Sequence, residues 1–222
     1  LTVSRPGDIL VPGPARHTDR QGYPVFVMTV DQRHSRRGRD QVEDLLARWA
    51  SPAQGLVRPW ERTAGDEVQA VLDRPEVVVD LSLALVRLGN WSVGIGIGPV
   101  HEPLPASTRA GSGAAFERAR RAVERAKSAP SHVTVAARDE AAGRPTQTVL
   151  DLLAALLQRR SEAGWEAVDL RAQGLSQSEV ALRLGISKQA VSQRLITATW
   201  APELAGRQLA AQLLAEAEGP ER

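Results

Sequence analysis

The chain has no cysteine, which excludes disulfide bonds and thiolate-bound metals outright. It has no apolar run that approaches the length of a membrane helix, so no membrane partner is expected. Residues 1–22 lack the basic-then-apolar order of a secretory signal, and a cytoplasmic location is the expectation. Lysine occurs only twice, as Lys127 and Lys188, so nearly all the positive charge is arginine, as a GC-rich genome would give. The formal net charge is only +2, too small to argue for nucleic acid globally. Any such argument rests on where the charges sit. What is present is a globular balance, 42 % hydrophobic and 24 % charged, over 222 residues, a length comfortable for two domains.

Residues 1–22 are rich in Pro, Gly and Arg without periodicity and read as an N-terminal arm. "YPVFVMTV" (23–30) is a valine-rich run that predicts a buried strand. Val42, Leu45, Leu46 and Trp49 recur at helical spacing, which predicts an amphipathic helix over 39–50. "GLVRPWERTA" and "EVQAVL" predict two strands around a tight turn at Gly65-Asp66. Pro75 and Gly89 bracket a further helix. In "WSVGIGIGPV" (91–100), Val93, Ile95 and Ile97 fall on one strand face and Gly94, Gly96 and Gly98 on the other. A glycine face marks close backbone approach by another element or by a ligand. Residues 113–127 predict a helix with Phe116, Ala119, Val123 and Ala126 inward and an outward stripe of Arg118, Arg121 and Arg125. "HVTVAA" (132–137) predicts a last strand. The order β-α-β-β-α-β-α-β predicts an α+β sandwich, a mixed sheet with helices on one face.

The texture changes around 138–147, which places a domain boundary between 23–140 and 141–222. Beyond it the second domain is expected to be all-α. Val149, Leu150, Leu152, Leu153, Leu156 and Leu157 predict a long helix with a wide apolar face. "LSQSEVALRLGISKQAVSQRL" (175–195) is the most specific signal in the chain. Ser176 with Glu179 forms a capping box that starts one helix. Gly185 supplies the turn, where a left-handed conformation is needed. Ala181 is small where two helices must cross, and Ser187 caps the second helix, whose Val191 and Leu195 face the core. The stretch resembles the helix-turn-helix of bacterial regulators of the multiple-antibiotic-resistance type and the promoter-reading region of sigma factors.

That resemblance implies double-stranded DNA as partner, with the second helix entering the major groove. The candidate DNA-binding residues are Ser187, Lys188, Gln189, Ser192, Gln193 and Arg194. Gln can bond adenine edges bidentately, and Lys or Arg can reach guanine or phosphate. Charge over 143–222 is nearly balanced, so affinity per half-site should be modest, and a homodimer or the arginines of the first domain are expected to supplement it. The helix at 147–160 and a tail helix at 202–218, with Leu204, Leu209, Leu213 and Leu214, carry more apolar surface than a three-helix reader needs. Either they pair across a two-fold axis or they pack on each other within one chain.

In the first half, "RTAGDEVQAVL" (62–72) resembles the signature hairpin of diguanylate cyclases and the Gly-Asp hairpin of class III adenylate cyclases. The fuller resemblance is to the SatD family, with Asp31 at a strand end, then "GDEVQ", "GIGIG" and "GAAFERAR" in order, over roughly residues 23–137. It implies a cyclase-like, ferredoxin-like α/β sandwich with a nucleotide site. On that template Asp31 and Asp66 would hold magnesium against a triphosphate, with Glu67 as a third carboxylate. Arg121 would contact phosphate, and Arg62, which opens the hairpin, joins the ligand set.

Four departures from the template stand out. Ala64 replaces the first glycine of the diguanylate signature, Val68 its phenylalanine, and Glu117 the asparagine of adenylate cyclases. "QRHSRRGRD" stands where a phosphate-cradling loop belongs. These move the expectation from catalysis to sensing of a cyclic nucleotide or dinucleotide, or to dimerisation. The histidines His17, His34, His101 and His132 show no ligand spacing for zinc. The reading is a DNA-binding regulator and not an enzyme. The alternative is an active nucleotidyl cyclase with a helical accessory domain.

Overall fold

The computed structural model describes residues 25–34, 38–49 and 55–217. The arm expected at 1–22 and positions 35–37 of the basic loop lie outside them. Among the described residues five strands form one sheet: β1 (Phe26–Gln32), β2 (Leu56–Arg62), β3 (Glu67–Leu72), β4 (Trp91–Ile97) and β5 (Val133–Ala136). Their spatial order is β2-β3-β1-β4-β5. β4 and β5 are parallel and the other neighbours antiparallel. Between the strands lie α1 (Val42–Arg48), α2 (Pro75–Leu88) and α3 (Ala114–Ala126), so the chain has the expected element order and is α+β. The β2–β3 turn closes with Glu67 N–H donating to the Ala64 carbonyl at 3.0 Å.

Strand alternation sorts the side chains onto two faces. Phe26, Met28, Val30, Val68, Val93 and Ile95 point to a layer that contains α2. Val27 and Val71 point to the opposite side, against Ala115, Phe116 and Ala119 of α3. Helices therefore cover both faces, which corrects the expectation of one. The glycine strand is the reason. A Cβ on Gly94 would lie closer than 3.0 Å to the backbone of Val123 and Ala119, and one on Gly96 equally close to Ala115 and Ala119. The glycine face seats α3 by direct backbone contact. Phe116 and Val123, both almost fully buried there, stabilise by about 1.5–3 kcal/mol each.

The core does not stop at 140. Helix α4 (Glu140–Gln158) starts inside the stretch expected to be a boundary, where Ala141 N–H donates to the Asp139 carboxylate at 2.8 Å, and it continues through Pro145. Its Leu150, Leu153 and Leu157 share the sheet's core with Ala210, Ala211 and Leu214 of α8 (Trp200–Glu216). Apolar side chains from the first and last helices of the second half thus join the sheet's core across the expected boundary near 141. Of the two expectations for these helices, the structure has packing within the chain. Only Leu152, Leu204 and Leu209 remain exposed on their outer sides. The remaining helices, α5 (Glu162–Ala172), α6 (Gln177–Leu184) and α7 (Lys188–Thr197), surround a small core of their own, made of Ala167, Val168, Val180, Ala181, Val191 and Leu195 with Ala198.

One side chain packs against both cores. Trp165 of α5 lies between two guanidinium groups, Arg87 of α2 at 3.8 Å and Arg160 at 4.4 Å from its ring centre. Arg87 also forks onto the Asp169 carboxylate at 2.6 and 2.7 Å. Arg160 is wholly buried and donates to the Ala198 carbonyl and, at 2.5 Å, to Glu203 of α8. Glu203 also accepts from Arg207, which reaches Asp80 of α2 at 2.7 Å.

Both sheet edges are closed. At β5 the side-chain amide of Gln147 takes the place of a strand, accepting from Val135 N–H at 2.8 Å and donating to the Val133 carbonyl at 2.9 Å. At β2 the Pro59 carbonyl accepts from the Thr108 hydroxyl at 2.6 Å, and Arg58 donates to the carbonyls of Leu104 and Pro105.

Gly94→Ala is expected to lower stability by about 3 kcal/mol or more, because backbone rather than a flexible side chain must yield. Ser92→Ala, on the same face of β4, removes a buried hydroxyl that has no hydrogen-bond partner and is expected to be neutral or stabilising. Thermal denaturation of the two variants separates these effects. Glu203→Gln leaves Arg160 buried without its counter-charge and is expected to cost about 3–5 kcal/mol, read as a fall in the urea midpoint.

Candidate functional site

The β1 and β3 ends meet at one corner of the sheet. Asp31 is paired with Glu67 on β3 and with Ser92 on β4, so these three side chains form a row on the α3 side. Asp66 follows in the turn, where its carbonyl accepts from Gln32 N–H at 3.2 Å. Three of the expected ligand residues, Asp31, Asp66 and Glu67, are thus brought together. Arg62 is not among them. Its register with Val68 turns it to the opposite face, where its Nη2 donates to both Asp40 carboxylate oxygens at 2.7 and 2.9 Å and lies 3.6 Å from Glu43. Arg121 is exposed on the solvent side of α3. Its neighbours in the arginine stripe hold α3 to the strand ends: Arg118 donates to the Ile97 carbonyl at 2.6 Å and Arg125 to the Val135 carbonyl at 2.9 Å.

One residue at the corner carries no role predicted from the sequence. Lys127, just past the last turn of α3, puts its Nζ 3.2 Å from Asp31 Oδ2 and 2.8 Å from Glu124 Oε1. Burial pushes the Asp31 carboxyl above its usual range, the Lys127 ammonium pulls it back, and Asp66 and Glu124 push it up again. For Lys127, burial works against the charge, but its bonds to Glu124 and Asp31 hold its pKa above the ordinary value. Glu67 is engaged elsewhere, accepting from the Thr63 hydroxyl at 2.5 Å. The available signal was compositional: Lys127 is one of only two lysines in the chain and ends an arginine-rich helix.

These residues do not fit a magnesium ion. Magnesium needs carboxylate oxygens free to join a near-octahedral set. Here an ammonium holds Asp31 and a hydroxyl holds Glu67. Among the described residues no group of three or more His, Asp or Glu side chains is disposed to hold a metal. A triphosphate fits no better, since the corner carries four carboxylates against one lysine and lies at the negative end of the α3 dipole.

The second candidate site is the α6–α7 pair. The Ser176 hydroxyl accepts from Glu179 N–H at 3.3 Å and Glu179 accepts from Ser176 N–H at 2.7 Å, the two halves of the capping box. Gly185 ends α6 in the left-handed region at φ 65°. Ile186 N–H then donates to the Ala181 carbonyl at 3.1 Å, and Ala181 is buried at the crossing. The Ser187 hydroxyl caps α7 by accepting from Ala190 N–H at 3.1 Å. Lys188, Gln189 and Gln193 are exposed, and Ser192 and Arg194 are half-buried. Arg194 is held by Glu166 of α5 at 3.0 Å, which sets it apart from the other candidates.

No family model, curated protein or solved structure matches the chain. Among the described residues no helix is long and apolar enough to cross a membrane.

The folded-state pKa of Asp31 lies above its unfolded value of 3.8. Stability from its neutral form is therefore complete below pH 3.8 and is lost as pH rises through the raised value. Asp31→Asn, neutral at every pH, should be at least as stable as the parent at pH 7, with the difference shrinking toward pH 4 (about the unfolded value). Urea midpoints measured across that range check the sign. A large loss at pH 7 would mean that the Lys127 bond outweighs the burial of Asp31.

Proposed function

We propose that the chain is a DNA-binding transcription regulator in which α6 and α7 form a helix-turn-helix. Carrying the reading is a complete set of local devices on one helical pair: two serine caps, a left-handed glycine turn, and a small buried residue at the crossing. Together they hold the N-terminal turn of α7 outward with Lys188, Gln189 and Gln193 uncovered. Those three side chains offer one phosphate or guanine contact and two amides suited to adenine edges. Ser187, Ser192 and Arg194 are secondary, being engaged in capping, half-buried or ion-paired.

The sheet unit is proposed as a cyclase-like, ferredoxin-like platform that has given up turnover. The order β2-β3-β1-β4 and the hairpin at Gly65-Asp66 support that ancestry. The diverted carboxylates and the tethered arginines speak against an active nucleotidyl cyclase and against a phosphate-sensing pocket. The platform reading expects no pyrophosphate from ATP or GTP with magnesium or manganese, and no heat on titration with a nucleotide panel. Two copies would be needed for a palindromic site. With α4 and α8 packed inside the chain, the pairing surface must use their outer sides or another face.

Selection from a random duplex library at low salt, followed by fluorescence anisotropy, tests the reading. A selected consensus with salt-dependent binding is expected. Retention of no duplex at any salt overturns it. Gln189→Ala is expected to relax preference at one base pair by about 1–3 kcal/mol. Lys188→Ala should weaken all sequences alike or relax a guanine, and in the first case lower the salt slope by about one unit.

A further inference from the structure

The exposed stripe of α7 does not end with its amides. We propose that Ile196 reads the C5-methyl group of a thymine in the major groove, so that α7 selects A·T pairs at both ends of a run of about three base-pair steps. The proposal rests on the helix-turn-helix reading and adds to it the class of base that the helix selects.

Spacing carries it. Gln189, Ser192, Gln193 and Ile196 stand at i, i+3, i+4 and i+7 of α7, which places them within about 100° of the helix surface. Ile196 is two turns on from Gln189 and nearly in line with it. Gln189, Gln193 and Ile196 are exposed, Ile196 by 66 %, and Ser192 is half-buried at the rim. Val191, Leu195 and Ala198 are buried away from the stripe, in the small core shared with α5 and α6. Four residues at this spacing are the base-reading set of homeodomain helices.

Chemistry supports the same assignment. A single exposed aliphatic side chain is ordinary on a protein surface. Ile196 instead sits among amides, on the face that would meet base edges. It has no donor or acceptor, so the group it can recognise in the groove is the apolar one, the thymine methyl. The amides of Gln189 and Gln193 match adenine, which pairs with thymine. Polar and apolar members of the stripe therefore select the same kind of base pair. Ile196 lies about 10.5 Å beyond Gln189 along the axis, or about three base-pair steps. No Asp or Glu occurs in α7, so the helix brings no charge that would repel phosphate.

The test uses the full chain and the duplex consensus obtained by selection. Each thymine is replaced in turn by deoxyuridine, which removes the methyl group, keeps the base pair and leaves the protein unaltered. Wild type is expected to bind about fourfold more weakly at one thymine per half-site, the effect of one buried carbon. Ile196→Ala should bind the thymine and uracil duplexes equally at that position. The substitution is at an exposed site, so its Tm should stay within about 2 °C of the parent. If the variant fails to fold, the uracil series on wild type decides alone. Wild-type indifference to every uracil overturns the proposal and leaves the regulator reading intact. So does a uracil effect that persists in Ile196→Ala. Full duplex affinity of Ile196→Ala with altered sedimentation of the free protein assigns the side chain to a contact between chains, and overturns it too. Retention of no duplex overturns both readings.

Discussion

Trp165 is the constraint on which the arrangement depends. Its indole belongs to α5, yet it lies between a guanidinium from α2 and one from the α4–α5 connection. Cation–π contacts of this kind are worth more when water is excluded, and Arg160 is wholly buried. The desolvation of Arg160 is costly unless its donors are used. The Ala198 carbonyl and Glu203 use most of them, which ties the end of α7 and the start of α8 to the same point. The small three-helix unit is thereby held against the sheet unit at a defined orientation, by side chains from α2, α5 and α8 at once.

The glycine strand works in the same direction. Removing Cβ atoms at 94 and 96 weakens β4 as a strand, but it lets α3 descend onto the sheet until backbones touch. The arginines of α3 then fasten the helix to the carbonyl ends of β4 and β5. At the far end of α3 the same economy of ligands recurs, with Lys127 on Asp31.

Element identity was largely legible because alternation and helical spacing are local. The eight expected elements of the first half occur in order, and the capped α6–α7 pair lies where Ser176, Gly185 and Ser187 signal it. What failed was partnership. The apolar faces at Leu150 and Leu214 announce burial but not against what, and the sequence does not show that they join the sheet's core. Gly94 and Gly96 announce close approach without naming the visitor. Helix α5 was missed because its inward residues, Gly164, Ala167 and Val168, are small and its largest apolar group, Trp165, points into a joint between units. Arg62 was misplaced for a geometric reason: strand register assigns it to the face opposite Asp31. Lys127 and Asp31 are separated in sequence by the strands β2, β3 and β4 and the helices α1, α2 and α3, a contact that no local pattern encodes.

The amide of Gln147 has a consequence for how the molecule behaves among copies of itself. A bare β5 edge would be a template on which further strands could add without limit. One side chain, borrowed from α4, satisfies the two backbone groups that would start that growth, and at β2 the Thr108 hydroxyl takes the Pro59 carbonyl. At β5 a second copy thus meets an edge whose bonding groups are already taken, which blocks there the open-ended stacking that bare sheet edges invite.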